Sequence, residues 1–315
     1  MRVLVTGAGG FVGRYLVSHL QERGDEVVAA GGPHDEGVLP IDLTDETSLA
    51  AALDIAQPDA IVHLAAQTFV PQSIDDPLDT YDVNVMGTAR LLRASRDWRK
   101  HSDRNPRVLF TSSAEVYGPQ PSDAFPLRET LATNPVNPYA ASKAACESLM
   151  LGEARSYDLD VIITRAFNHI GPGQNDRFVV PGFAKQLACI ARTGEGILYV
   201  GNLKAKRDFL DVRDVVRAYV ALLENGKSGT TYNVCRGTAV GIDEVLRELI
   251  NIARVPVEVR EDPKRMRPSD IPMLYGDNAR LRQDTGWEAA ISLRESLRLI
   301  YDDAYKTEAA AKATE

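Results

Sequence analysis

The chain has 315 residues, 44% apolar and 25% charged, a composition that suits a soluble globular protein with a large buried core. Its net charge of −8 argues against a nucleic-acid surface, which needs a broad basic footprint, and no apolar run approaches the ~18 residues of a membrane span. Cys146, Cys189 and Cys235 are widely spaced and without any Cys-x-x-Cys, so they read as reduced thiols of a cytoplasmic protein, not as a disulfide or metal framework. The strand that starts at Arg2 predicts that no signal peptide is present.

In chain order, short apolar runs alternate with stretches of helical spacing. Val3–Thr6, Glu26–Ala30, Ala60–Leu64, Val108–Ser112 and Val161–Arg165 read as buried parallel strands. Val12–Arg23, Thr44–Leu53, Tyr81–Arg99 and Tyr139–Ser156, between them, read as helices. This alternation predicts an α/β fold, a Rossmann-type doubly wound parallel sheet spanning residues 1–166 plus later returning segments. The composition shifts after Ala166. Asn168–Gln174 is broken by Gly and Pro, Phe178–Thr193 has helical spacing, and Tyr199, Arg207–Asp211 and Thr231–Cys235 suggest short strands and turns. With helices at Ile242–Ala253 and Leu293–Lys306, residues 167–305 are predicted to form mainly a smaller C-terminal α/β lobe, and 306–315 a frayed tail.

Gly7, Gly10 and Gly13 stand where the first strand turns into a helix. There a glycine permits the tight turn, a second lets backbone approach a pyrophosphate, and a third allows close helix–strand packing. Because the turn follows a strand and opens an amphipathic helix, it predicts a dinucleotide site that also includes Phe11 and Val12. Asp42 and Leu43 follow the strand-like run Val38–Ile41, where a carboxylate could meet an adenine amine. Leu64, Ala65, Ala66 and Gln67 offer a strand end of mostly small residues against which a cofactor could lie, with Asn84 placed to tie that loop to the next strand. The second strand runs into Gly31-Gly32-Pro33-His34, with neither an acid to hold ribose hydroxyls nor an Arg to clamp a phosphate. The lack of an acid favours NADP(H) over NAD(H), with His34 as a neighbour of the 2′-phosphate.

Tyr139 and Lys143 are one turn apart on a helix that starts after Pro138. A neighbouring ammonium stabilises phenolate and brings a tyrosine, with an ordinary pKa of ~10, closer to acid–base work at neutral pH. The strand ending Thr111-Ser112-Ser113-Ala114-Glu115 brings hydroxyls and a carboxylate to the carboxyl edge of the sheet, where ligands bind.

These stretches together resemble the extended short-chain dehydrogenase/reductases, the NAD-dependent epimerase/dehydratase family acting on nucleotide sugars, from Arg2 to about Tyr305. The motifs that carry the resemblance are Thr6-Gly7-Ala8-Gly9-Gly10-Phe11-Val12-Gly13, His63-Leu64-Ala65-Ala66-Gln67, Ser112-Ser113-Ala114-Glu115-Val116-Tyr117-Gly118 and Pro138-Tyr139-Ala140-Ala141-Ser142-Lys143. The resemblance implies that Ser113 hydrogen-bonds the sugar oxygen beside Tyr139, that Tyr139 shuttles the proton, and that Lys143 reaches the nicotinamide ribose. It also implies a homodimer built on the helices Tyr81–Arg99 and Tyr139–Ser156, which carry Leu91, Leu92 and Leu149.

Arg165–Gln174 resembles the loop that holds the diphosphate and sugar in that family, and Val200–Phe209 and Arg265–Asp270 look like its GDP-mannose branch, whose members include a 4,6-dehydratase and a 4-keto-6-deoxy-mannose reductase forming GDP-D-rhamnose. The resemblance makes Asn168, Val180, Lys185, Asn202, Arg207 and Arg267 candidate contacts to a GDP-linked sugar. Of these, Lys185, Arg207 and Arg267 offer cations to the diphosphate, the two arginines in bidentate form. A dehydratase needs acid–base groups beside Ser113. Glu115 could remove the C5 proton, but Ala114 cannot protonate a leaving hydroxyl. The Gln-Asp-Gly usual in the dehydratase's first turn is Gly9-Gly10-Phe11 here, and its long Arg-rich loop is absent. Reduction of a C4 keto group is therefore the expectation, with the 4,6-dehydratase as alternative. Another nucleotide-sugar epimerase or dehydratase, or a dinucleotide-binding sensor without catalysis, stands behind both.

Overall fold

The computed structural model describes residues 1–266 and 271–313, which divide into two compact units. The first comprises Met1–Ala166, Val216–Val234 and Asp277–Glu288. Its elements alternate in chain order: β1 (Arg2–Thr6), α1 (Phe11–Glu22), β2 (Glu26–Gly31), β3 (Leu39–Pro40), α2 (Glu46–Ala56), β4 (Ala60–His63), α3 (Val70–Asp75), α4 (Pro77–Tyr81), α5 (Gly87–Arg99), β5 (Arg107–Ser113), α6 (Pro138–Tyr157) and β6 (Val161–Ala166). A later strand, Thr230–Val234, pairs with β6.

Every pairing in this sheet is parallel, and the order is Thr230–Val234, β6, β5, β4, β1, β2, β3. The order reverses between β1 and β4, so the loops leaving their carboxyl ends diverge and open the crevice where doubly wound sheets bind ligands. Strands buried on both faces must be apolar throughout. Val3, Leu4 and Val5 of β1 and Ile61 and Val62 of β4 are at most 1% exposed. Leu4, Ile61, Leu91, Leu92, Val108, Phe110, Met150 and Ile163 belong to one core cluster. Leu91 and Leu92 thus point into their own unit, and of the three leucines associated with a dimer face only Leu149 is half-buried.

Local chemistry sets the helix ends that matter for the site. Asn137 caps α6 by accepting from Ala140 N at 2.8 Å, Pro138 occupies the first turn, and Asp158 closes the helix in the left-handed region. The stretch predicted as one helix from Tyr81 to Arg99 is interrupted. Asp82–Met86 is a π-helical turn between α4 and α5, which widens the backbone at Asn84.

The second unit comprises Phe167–Val215, Cys235–Gly276 and Ala289–Glu315. Asn168–Ile170 pairs with Phe209–Asp211, Ile197–Val200 with Glu258–Glu261, and Lys206–Arg207 with both Val240–Gly241 and Met273–Leu274. Phe183, Leu187, Leu198, Val245, Leu249, Leu297 and Ile300 form its core. The helix Val212–Asn225, which passes from the second unit into the first at Val216, is not among the expected elements, although its buried Val212, Val215, Val216, Tyr219 and Val220 recur at helical spacing. Leu293–Ala313 is helical beyond residue 306, where a frayed tail was expected. The Ala-rich end has strong helix propensity, and that propensity outweighs position near a terminus.

Candidate active site

The Gly-rich turn is tight for steric reasons. Gly7 lies at φ +72°, and a Cβ there would stand 2.7 Å from Ala65 N. A Cβ on Gly13 would stand 2.2 Å from Gly7 O, so α1 packs directly on the turn. Gly10 N donates to Gly7 O at 3.1 Å, and Gly10 itself brings no side chain to cap α1. With no acid in its first turn either, the positive end of α1 suits a phosphate. Small side chains and an uncapped helix start fit a dinucleotide whose pyrophosphate lies against this turn. Gly7, Gly10, Phe11, Val12 and Gly13 would hold it.

The neighbouring loops divide into groups that face outward and groups already committed. Leu64, Ala65 and Ala66 are half-buried behind β4. The Gln67 side chain is taken up by its own loop, donating to Thr80 Oγ1 at 3.0 Å and accepting from Phe69 N at 2.5 Å. Asp42 is exposed and accepts from both the amide and the hydroxyl of Thr44, each at 2.7 Å, which holds its carboxyl below the ordinary range. Leu43 is buried in the core, so only its backbone can face a ligand.

An acid does stand at the end of β2. It was invisible to strand-end inspection because it arrives through a turn: Asp35 N donates to Gly32 O at 3.0 Å, and Gly32 N donates to Asp35 Oδ2 at 2.9 Å. The turn swings the carboxylate back against the Gly-rich loop, where a Cβ on Gly9 would lie 2.5 Å from Asp35 Cγ.

Tyr139, Ser113 and Lys143 converge from two elements. β5 ends at Ser113, and α6 begins one residue before Tyr139. The Ser113 hydroxyl lies close enough to the Tyr139 phenol to influence its ionisation. Burial pushes the Tyr139 phenol well above its ordinary value, the Glu115 carboxylate pushes it further, and the Ser113 hydroxyl pulls it back. Sequence spacing suggested that Lys143 would lower this phenol. In the structure the Lys143 ammonium instead donates to Thr111 O at 2.8 Å and lies 4.8 Å from the Phe110 ring centre. Burial lowers the Lys143 ammonium to about 8.

Glu115 is half-buried and anchored: Asn137 Nδ2 donates to Glu115 Oε2 at 2.8 Å. Ala114, between Ser113 and Glu115, is 1% exposed. Asn84 does more than join a loop to a strand. Its amide accepts from Gln67 N at 2.8 Å, donates to Gln67 O at 2.9 Å, and donates to Ser142 Oγ at 2.9 Å. The π-helical turn therefore fastens the loop after β4 to the helix carrying Tyr139 and Lys143.

A second network behind the site was not read from sequence. Arg165 grips Glu147 through Nε at 3.0 Å and Nη2 at 2.7 Å, Glu147 accepts from Ser112 Oγ at 2.6 Å, and the Arg165 guanidinium lies 4.6 Å from the Tyr117 ring centre. The only sequence signal was Glu147 one turn after Lys143, a position that an exposed helix face would also give.

In the second unit, Asn168 is exposed on its strand and Asn202 Oδ1 accepts from Lys204 N at 2.9 Å. Val180 is buried in the core, so its side chain cannot line a ligand site. Lys185 is exposed and paired with Asp176 at 2.6 Å. Arg207 is half-buried on its strand, and the adjoining Asp208 is clamped by Arg236 N and Gly237 N, each at 2.8 Å. Burial raises the Asp208 carboxyl to about 6. Arg267 lies outside the described residues.

Comparison with known proteins finds relatives along almost the whole chain. The chain matches the family model described as GDP-mannose 4,6 dehydratase over residues 4–300. It is 41% identical over 306 residues to a GDP-6-deoxy-D-mannose reductase of Pseudomonas aeruginosa, covering 96% of each chain. The structure of RMD from Pseudomonas aeruginosa complexed with NADPH superposes with a TM-score of 0.87 at 38% identity, covering 98% of this chain and 100% of that one. The Thermus thermophilus UDP-glucose 4-epimerase complexed with NAD superposes with a TM-score of 0.85 at 31% identity, covering 96% and 99%.

Proposed function

The chain belongs to the GDP-mannose 4,6 dehydratase family, and from that premise we propose that it reduces the C4 keto group of a GDP-4-keto-6-deoxyhexose, forming GDP-D-rhamnose. A nicotinamide dinucleotide on the Gly-rich turn supplies the hydride. Ser113 Oγ positions the keto oxygen, and Tyr139 delivers its phenolic proton to that oxygen as it becomes an alkoxide. A phenol held protonated by burial and by Glu115 is in the form that a reduction needs at its start. Lys143 supplies positive charge beside the site, from its present place on the Thr111 carbonyl. Asn168, Asn202, Arg207 and Arg267 remain the proposed contacts to the GDP-sugar.

Ala114 is the observation that carries the choice of reaction. Dehydration at C6 requires a proton donor for the departing hydroxyl, and the residue between Ser113 and Glu115 is a buried methyl group. The 4,6-dehydratase stays as a second reading because Glu115 is a carboxylate near enough to influence the Tyr139 phenol and could serve as the C5 base. Its bond from Asn137 instead suits a fixed acceptor for a sugar hydroxyl.

A paired assay separates them. With the 4-keto-6-deoxy sugar nucleotide, reduced dinucleotide should be consumed one for one. With GDP-mannose and oxidised dinucleotide, no keto sugar should form; its appearance without net cofactor change would establish the dehydratase instead.

The proposal includes a cytoplasmic homodimer. Among the described residues no helix is long and apolar enough to cross a membrane. Ile74 (49%), Leu78 (77%) and Met86 (49%) expose apolar side chains in the segment before α5, and a second copy would remove them from water.

A further inference from the structure

We infer that Asp35 selects the cofactor and makes the chain prefer NADH over NADPH. This rests on the dinucleotide site proposed above and goes beyond it by naming the form bound.

Three observations place the carboxylate. Gly31 ends β2, and a Cβ there would stand 2.4 Å from Asp35 Oδ2. A Cβ on Gly9 would stand 2.6 Å from Asp35 Oδ1, so both carboxylate oxygens lie over the seam between the Gly-rich turn and the end of β2. Asp35 is also exposed, with Oδ2 fixed by Gly32 N and Oδ1 left on the Gly9 side. In a doubly wound sheet that seam receives the adenosine ribose, since the pyrophosphate is at the helix start and the adenine lies beyond β2.

A carboxylate there accepts hydrogen bonds from the two ribose hydroxyls of NADH. Against NADPH it faces a 2′-phosphate of about two negative charges, and repulsion replaces attraction. The nearby cation is already engaged with backbone: Arg14, in the first turn of α1, donates to Gly9 O at 3.1 Å. His34 is exposed in the same turn as Asp35. The absence of an acid from β2 itself had favoured NADP(H). The turn Gly32–Asp35 removes the ground for that preference.

The test is equilibrium binding to the full chain, followed by nicotinamide fluorescence for NADH and NADPH and by calorimetry for the adenosine halves, 5′-AMP and 2′,5′-ADP. Asp35→Asn is the informative variant, because its amide oxygen still accepts from Gly32 N and preserves the turn. Wild type should bind NADH at least tenfold more tightly than NADPH, and 5′-AMP more tightly than 2′,5′-ADP. Asp35→Asn should shrink both ratios by tenfold or more, mainly through tighter binding of the phosphorylated member. Equal binding of the two forms by wild type, an NADPH preference, or ratios unchanged in Asp35→Asn would overturn the inference. Failure to bind either dinucleotide would overturn the dinucleotide site itself, and the inference with it.

Discussion

Asn137 does two jobs at one point of the chain. Its Oδ1 caps α6 by accepting from Ala140 N, and its Nδ2 donates to Glu115 Oε2, both at 2.8 Å. The residue that starts the helix carrying Tyr139 also fixes the carboxylate beside Tyr139. Asn137→Ala should cost about 1 kcal/mol of stability from the lost cap, measurable as a shift in urea midpoint, and should lower kcat by releasing Glu115. Asn137→Asp should keep the cap yet lose activity, because a second carboxylate would then repel Glu115 from its place.

Tyr139→Phe removes the proton donor and little else. Turnover should fall by roughly two to four orders of magnitude, the usual contribution of a positioned acid. Dinucleotide affinity should stay within about threefold, read by fluorescence titration. Retained turnover would remove Tyr139 from its role.

The Lys143 ammonium, lowered by burial to about 8, should appear in the pH profile. Its cation is present below that value, so kcat/KM should decline as pH rises through about 8. Lys143→Arg, which stays charged, should lose that decline while keeping part of the activity. Lys143→Met should be nearly inactive throughout.

His63 is buried between Thr6 Oγ1 at 2.7 Å and Thr88 Oγ1 at 3.2 Å. Burial, reinforced by Lys143, depresses its pKa from 6.5 to about 3. The folded chain therefore keeps the ring neutral while the unfolded chain takes up a proton. Stability from this group is complete above pH 6.5 and is lost as pH falls from 6.5 toward 3, by at most about 1.4 kcal/mol per pH unit. Urea unfolding across that range should show the slope, and His63→Asn should flatten it while lowering stability at neutral pH.

Glu147 and Arg165 are each 7% exposed in their side chains. Glu147→Ala should cost about 3–5 kcal/mol by leaving a buried guanidinium without its carboxylate. The double variant Glu147→Leu with Arg165→Met should cost less than the single one, since no charge is then stranded. A larger loss in the double variant, again by urea midpoint, would refute that view of the pair.

Local patterns were legible in the sequence and returns of the chain were not. Gly7–Gly13, and Tyr139 with Lys143, follow from spacing within one turn or one helix, and the structure keeps them at the carboxyl ends of β1 and β5. Asp35 was missed because a turn closed by Gly32 carries it back to a glycine far away in sequence. Lys143 stands on the predicted helix, but its bond to Thr111 O depends on how α6 lies over β5. The resemblance made Val180 a candidate sugar-nucleotide contact and Leu91 a residue of a dimer helix, and only packing shows that their own cores consume both side chains. Asn84 owes its reach to a π-helical turn that helical periodicity does not announce.

The central claim, that the chain reduces C4, is tested most directly by following the hydrogen. The 4-keto-6-deoxy sugar nucleotide would be incubated with dinucleotide deuterated at the transferring position, and the product examined by NMR. Deuterium should appear at C4 of the sugar, one atom per dinucleotide oxidised, and should be absent in Tyr139→Phe. A product without deuterium at C4, together with conversion of GDP-mannose to a keto sugar in a parallel sample, would contradict it.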